Sequence, residues 1–238
     1  MVGRGSLARR DAVAAWLFLA PSLVLFATFT GVPVIAAFLI SFTQWDLFNP
    51  PRFAGLGNYL ALAGDRIFGK VMGNTAYFVL ASVPAQMVLG LASALALNRG
   101  IRGQTFFRVA YFLPVVTSTI AAALVWAWLF NSNFGLINAL LSAFGVTDPP
   151  RWLGSTAWAM PAVIVVSVWQ NVGYAMVLFL AGLQNIPKDL YDAGAIDGAM
   201  GWKRFYFITL PMLSPTTFFV LIISIIGSFQ VFELVFVM

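Results

Sequence analysis

The residues best suited to grip a polar ligand stand inside apolar runs. Trp169, Gln170, Asn171 and Tyr174 fall in an uncharged stretch over 156–183, and Gln230 and Glu233 fall in a second apolar run over 211–237. Side-chain amides bond hydroxyl groups, while aromatic rings pack on the C–H face of a sugar. Together they suit a neutral, polyhydroxylated ligand, and Trp126 and Trp128 add aromatic surface in a third run. The same residues also read as ordinary helix packing and interfacial aromatics, and the residues alone leave both readings open. Glu233 is the clear charge within an apolar segment, where charge is expensive and usually functional. It is either a carboxylate facing a substrate pathway or an interfacial group reaching for headgroups.

Other chemistry is scarce. There is no Cys and no His, which removes disulfides, thiolate nucleophiles, imidazole bases and Cys/His metal sites. No pair of carboxylates stands in an apolar run, so a membrane-embedded enzyme is disfavoured and no catalytic, cofactor or metal residue is assigned. Gly64 to Val71 matches most of a phosphate-binding loop, with Gly69 and Lys70 in place. Its last position, which should be Ser or Thr to hold magnesium, is Val71, and no buried strand precedes it. A loop leading into a helix is the better reading.

The elements that must position these residues follow from composition. Of 238 residues, 61% are hydrophobic and 9% charged, against roughly 25% charged in soluble globular chains. The chain is therefore read as an all-α, polytopic membrane bundle. The net charge of +5 comes from short clusters between apolar runs, with no basic stripe or motif for nucleic acid. Spans are expected over 13–42, 71–98, 109–130, 156–183 and 211–237, with a re-entrant or interfacial helix over 136–144. Residues 1–11 are expected as a basic arm and 46–70 as a polar loop. The chain stops at Met238 without a polar tail, which reads as a truncation with a sixth helix missing.

Lys and Arg stay preferentially on the cytoplasmic side. With the N-terminus inside, the inner segments hold Arg4, Arg9, Arg10, Arg99, Arg102, Arg108, Lys188, Lys203 and Arg204. The outer ones hold Arg52, Arg66, Lys70 and Arg151. That bias places 185–215 in the cytoplasm and Glu233 toward the outer end of its span.

The 185–215 segment is dense in charge and in small residues. Pro187 suits a first turn, residues 188–197 can form a helix, and Gly198 and Gly201 can end or turn it. Gly194 and Gly198 lie one turn apart, leaving a bare strip flanked by Tyr191, Asp192 and Trp202. A short helix of that kind either lies in a partner's groove or rests on the membrane surface.

The order Asp192-Ala193-Gly194, three residues, Gly198, nine residues, Ile208-x-Leu210-Pro211 resembles the "EAA" loop of bacterial ABC-importer permeases. The likeness extends along the chain through four further motifs. They are Trp16-Leu17-Phe18-Leu19-Ala20-Pro21-Ser22, Phe53-Ala54-Gly55-Leu56-Gly57-Asn58-Tyr59, Arg108-Val109-Ala110-Tyr111-Phe112-Leu113-Pro114 and Ala181-Gly182-Leu183-Gln184-Asn185-Ile186-Pro187. The set is similar to the carbohydrate-uptake branch (the maltose, lactose and glycerol-3-phosphate type) and to the first of its two paired permeases. Two departures stand out: the family's Glu-Ala-Ala is Asp-Ala-Gly here, and its sixth core helix is absent from these residues.

The resemblance implies a single permease domain over 1–238 in a bacterial or archaeal inner membrane, with 185–215 as its coupling loop. Tyr191, Asp192, Ala193, Gly194, Asp197, Gly198 and Trp202 would dock the ATPase. Trp169, Gln170, Asn171, Tyr174, Gln230 and Glu233 would line the substrate pathway. The implied partners are a second homologous permease, two ATP-binding subunits that carry ATP and magnesium, an extracytoplasmic solute-binding protein and membrane lipid. The substrate would be a sugar or polyol. A self-sufficient secondary carrier or channel is the alternative. It has against it the scarcity of titratable groups in the spans, which ion-coupled carriers need.

Overall fold

A computed structural model describes residues 4–100 and 102–238. Its contacts gather into two compact units, Met1–Val71 and Met72–Met238.

The first unit opens with α1 (Arg4–Phe26), a wide turn (Ala27–Gly31) and α2 (Val32–Ile40). The basic arm expected over 1–11 is thus helical from Arg4, and its first three positions lie outside the described residues. Residues 11–40 are apolar enough to cross a membrane as one bent rod, where every backbone group must bond within its own segment. The wide turn has a cause in the sequence. Pro33 has no N–H, and its ring would strike the carbonyl four residues back, at Phe29. The helix widens around that carbonyl, and the Val32 N–H bonds Ala27 O instead.

A small platform follows α2. Strand β1 (Thr43–Gln44) pairs antiparallel with β2 (Arg52–Phe53), Thr43 opposite Phe53. Asn58 donates to the Ser41 and Thr43 carbonyls at 2.9 and 2.8 Å. Tyr59 shares a 2.6 Å hydrogen bond with the Ser41 hydroxyl, and its ring lies against Phe42. The Asn-Tyr end of the 53–59 motif is therefore a clamp on the platform's base. Asp46 accepts from the backbone N–H and side-chain amide of Asn49 and from the Phe48 N–H, which holds its carboxyl below the usual carboxylate range.

Much of the expected 46–70 loop is helical. It contains α3 (Gly57–Gly64) and the start of α4 (Arg66–Asn98). Asp65 starts α4 by accepting the Ile67 N–H at 2.7 Å. Gly69 and Lys70 thus sit in regular helix, and the phosphate-loop lookalike has no loop.

The second unit is built around α8 (Ala159–Gln184), the most enclosed span. Small residues let its neighbours approach at backbone distance. Gly173 faces the Tyr111 and Phe112 backbone of α5 (Gln104–Val116), and Ala175 faces Gly90 of α4. Gly182 meets Thr216 and Leu213, at the start of α12 (Ser214–Phe229). One core joins Ala94, Leu97, Met176, Phe179, Leu183, Leu213 and Val220. A second, nearer the start of α8, joins Phe78, Ala123, Phe130, Ala162, Val166 and Leu234.

Two spans differ from the sequence expectation. The single helix expected over 109–130 is α5 and α6 (Thr119–Leu129), bent by 98° at Thr117 and Ser118. Thr117 and Ser118 are extended, with ψ of 139° and 128°. The last span breaks at Gln230 and Val231 before a short α13 (Phe232–Val237). With the bent pair counted as one span, five segments can cross a membrane.

The short α7 (Leu136–Ala143) matches the helix expected over 136–144. It ties together the segments before and after it through Asn138, which donates to the Ser132 and Pro150 carbonyls and accepts the Trp152 indole N–H at 2.7 Å.

Candidate functional site

Polar residues inside the second unit converge on one cavity of about 500 Å³, within the size range of small-molecule sites. Its wall on α8 repeats with helical spacing: Ser167, Gln170, Asn171 and Tyr174 stand at i, i+3, i+4 and i+7. Gln86 of α4, Thr119 of α6, and Ser224 and Ser228 of α12 complete the polar lining. The break after α12 brings Gln230 and Glu233 to the same space.

Five of the six residues read from sequence as pathway residues therefore line one cavity. Trp169 does not. It lies two positions from Ser167, on another face of α8, and packs edge-on against Trp126 at 5.4 Å between ring centres. The sequence reading passed over Gln86, Thr119, Ser167, Ser224 and Ser228. Their signal was periodicity: small polar residues three, four and seven apart mark one face of an apolar helix.

The amides are partly committed. Gln170, 8% exposed, donates to Thr117 O and to the Thr119 hydroxyl, both at 3.3 Å. It thereby fastens the bend between α5 and α6 to α8. Asn171 donates to Ser167 O at 2.8 Å, one turn back on its own helix. Both amide oxygens are left to accept from hydroxyl groups. Among the lining residues Glu233 is the only charged side chain.

The loop after α8 forms a second candidate site. Helix α9 (Lys188–Ile196) begins at Pro187 and ends at Asp197. Gly198 (φ +75°) and Gly201 (φ +56°) turn the chain in backbone conformations that L side chains resist. A short α10 (Trp202–Arg204) leads into a second wide turn (Phe205–Thr209) and α11 (Leu210–Met212). Here Pro211 again stands four residues after the middle carbonyl, and Leu210 N–H bonds Phe205 O.

The residues named for docking separate into two sets. Tyr191 and Gly194 face this chain's own last segment. The Tyr191 hydroxyl lies 3.3 Å from that of Thr209, and its ring carries the Arg204 guanidinium at 4.0 Å. A Cβ on Gly194 would strike the Ile208 side chain. The bare strip expected from Gly194 to Gly198 is therefore closed at Gly194, because Ile208 fills it. Gly198 lies past the helix end and has open space beside it. Asp192, Ala193, Asp197 and Trp202 are exposed, as are Ile196 at 88% and Met200 at 70%, neither of which the sequence reading named. Trp202 lies tilted against Phe205, 5.1 Å between ring centres, with 75% of its surface free.

The second unit also resembles known proteins. The family model described as binding-protein-dependent transport system inner membrane component matches residues 86–235, a stretch that holds both candidate sites. The lactose transport system permease protein LacF of Rhizobium radiobacter is 36% identical over 97% of this chain and 77% of its own length. The trehalose/maltose transport system permease protein MalF of Thermococcus litoralis is 37% identical over 96% of this chain and 78% of its own. In fold, the chain is similar to a crystal structure of a bacterial ABC transporter involved in import of the acidic polysaccharide alginate. The TM-score is 0.77 at 22% identity, over 96% of this chain and 78% of that one.

Proposed function

Because this chain belongs to the family of binding-protein-dependent transport system inner membrane components, we propose that it is a membrane-spanning subunit of an ATP-driven importer for a sugar or related polyol. The observation that carries the reading is the cavity. Amide oxygens, hydroxyls, Tyr174 and one carboxylate, together with apolar residues such as Val115, Ile223 and Val231, line about 500 Å³ between helices long and apolar enough to cross a membrane. That lining is matched to a ligand that is mostly hydroxyl groups, and the lactose and trehalose/maltose permeases among its relatives carry such ligands by name.

In this reading 1–238 acts as one permease domain, with the N-terminus and 185–215 in the cytoplasm. A solute-binding protein delivers the sugar at the outer face. A second, homologous permease completes the cavity, and two ATP-binding subunits hydrolyse ATP, so this chain holds neither nucleotide nor magnesium. The coupling loop is contacted at its exposed set: Asp192, Asp197, Ile196, Met200 and Trp202. Tyr191 and Gly194 act from inside, fixing α9 against the last segment. Helix α8 runs unbroken from Asn171 to the loop, about 20 Å at 1.5 Å per residue. A push that α9 passes on to the end of α8 therefore reaches the cavity wall through continuous helix.

The test is uptake by the full transporter, assembled with its partners in proteoliposomes, using labelled lactose, maltose, trehalose and glycerol. ATP-dependent accumulation of at least one is expected. No ATP-dependent uptake of any carbohydrate or polyol overturns the reading, and uptake by the purified chain without ATPase subunits replaces it with the carrier.

A further inference from the structure

Neither site accounts for the 108–114 motif at the start of the bent span. Helix α5 carries a shallow groove of about 370 Å³ there, lined by Arg108, Val109, Phe112, Leu113 and Val116, with Val177 of α8 as its far side. The α5 residues recur at helical spacing, so the groove runs along the helix axis. From Arg108 to Val116 it extends about 12 Å, eight residues at 1.5 Å each. Val109, Leu113 and Val116 are at least 59% exposed.

Arg108 heads this groove, one turn after α5 begins at Gln104. Its Nε is buried and has no hydrogen-bond partner among the described residues. Arg108 as a whole is only half-buried and lines the groove. A guanidinium with an unpaired nitrogen at the edge of an apolar groove is costly, and such groups ordinarily find an anion through their outward N–H groups. The geometry points to a bound membrane phospholipid. Its phosphodiester would accept from Arg108, and one acyl chain would lie along Val109, Phe112, Leu113 and Val116.

Three features favour a lipid over a protein partner. Arg108 lies near the end of a span, at the depth where every bilayer presents phosphate, and Arg side chains extend toward that layer. The groove beyond it is almost purely apolar and lined by large side chains, which suits a hydrocarbon chain and lacks the small residues that let a partner helix pack closely. The 98° bend at Thr117 and Ser118 ends the groove after Val116, so it serves a single leaflet. The proposal requires only that the chain spans a membrane, and it stands or falls independently of the transport reading.

The experiment is native mass spectrometry of the full chain, with whatever copurifies, titrated with phosphatidylglycerol in mild detergent. The unvaried chain should retain phosphatidylglycerol and release diacylglycerol of the same tails. Arg108→Gln should weaken retention about tenfold, the scale of one charge-assisted contact at an anionic surface. Val116→Trp, which fills the groove without changing charge, should weaken it comparably, and Arg102→Gln should leave it unchanged. Equal retention of phosphatidylglycerol and diacylglycerol by the unvaried chain overturns the proposal and needs no variant to fold. So does displacement by soluble glycerophosphoglycerol, which would mark a free-phosphate site. A photocrosslink from position 109 to a copurifying protein instead of lipid overturns it as well.

Discussion

Gly173→Ala adds one methyl group where α8 and α5 touch. Its Cβ would fall on the Tyr111 carbonyl oxygen, 2.7 Å from that carbonyl's carbon and 3.0 Å from Phe112 Cα, whereas ordinary contact begins at 3.4 Å. All three obstacles are backbone, so no rotamer change relieves them. The carbonyl oxygen is nearer still than its carbon, so helix α5 must withdraw by about 1 Å or more, and a gap of about 0.5–1 Å already forfeits a quarter to a half of each dispersion contact along the seam. Overpacking of this kind costs about 1–3 kcal/mol, while replacing a mid-helix glycine returns up to about 1 kcal/mol. With an all-backbone obstacle the cost lies at the upper end of that range, and the expected net loss is about 2 kcal/mol. Gly73→Ala is the matched control, inside α4 with nothing within 4 Å of its would-be Cβ. It should be neutral or stabilising by up to about 1 kcal/mol. Unfolding of each purified variant in mixed micelles of rising SDS fraction, followed by tryptophan fluorescence, measures the difference. Equal stability of the two variants would refute the claim that the Gly173 seam is set by backbone contact.

Asn58→Ala removes both donors to the Ser41 and Thr43 carbonyls, about 1–2 kcal/mol of local stability. Faster proteolysis within 43–58, with the spans intact, is the expected result. Gly194→Leu should displace α9 from Ile208 and impair coupling of ATP hydrolysis to uptake. The double variant with Ile208→Ala should recover most of the coupling, since the obstacle is a side chain; no recovery argues against that contact. Ile196→Asp should uncouple hydrolysis from uptake without lowering stability, because Ile196 is 88% exposed. Gly198→Trp is a poorer probe of the same docking, since its φ of +75° strains any side chain.

Hydropathy made the spans legible because a membrane leaves the backbone no alternative to continuous helix. Five apolar runs, four of them uncharged, became five segments long and apolar enough to cross a membrane when the bent pair counts as one, with ends displaced by a few residues. What hydropathy could not show was where a run bends. Thr117 and Ser118 are no more polar than many residues kept in helix, and the bend is fastened from 50 residues away by Gln170. The cavity was half legible. Large amides and aromatics drew attention, while Ser167, Ser224 and Ser228 matter only through their place on a helix face. Trp169 misled because adjacency in sequence was read as adjacency in space, and neighbours along a helix point about 100° apart. At the loop, Gly194 and Gly198 were read as one bare strip for another protein, whereas Ile208 fills it at Gly194 and Gly198 lies past the helix end. That the contact at Gly194 is Ile208 of the same chain required tertiary structure.

The glycines and alanine around α8 limit how the protein can move. A shaft held at three points by neighbours that leave no clearance cannot turn on its axis, because turning would swing Val172, Tyr174 or Leu183 into slots sized for a hydrogen atom or a methyl group. Helices α4, α5, α8 and the start of α12 thus form one stiff block with few internal degrees of freedom. In the proposed transport cycle the cavity then opens and closes by displacement of this whole block against what lies outside it, α6 and α13 at the cavity's edge or the paired permease. Spin labels placed within the block should keep constant spacing through a transport cycle while labels across the cavity separate, and the cysteine-free sequence allows such labels at chosen positions with no background.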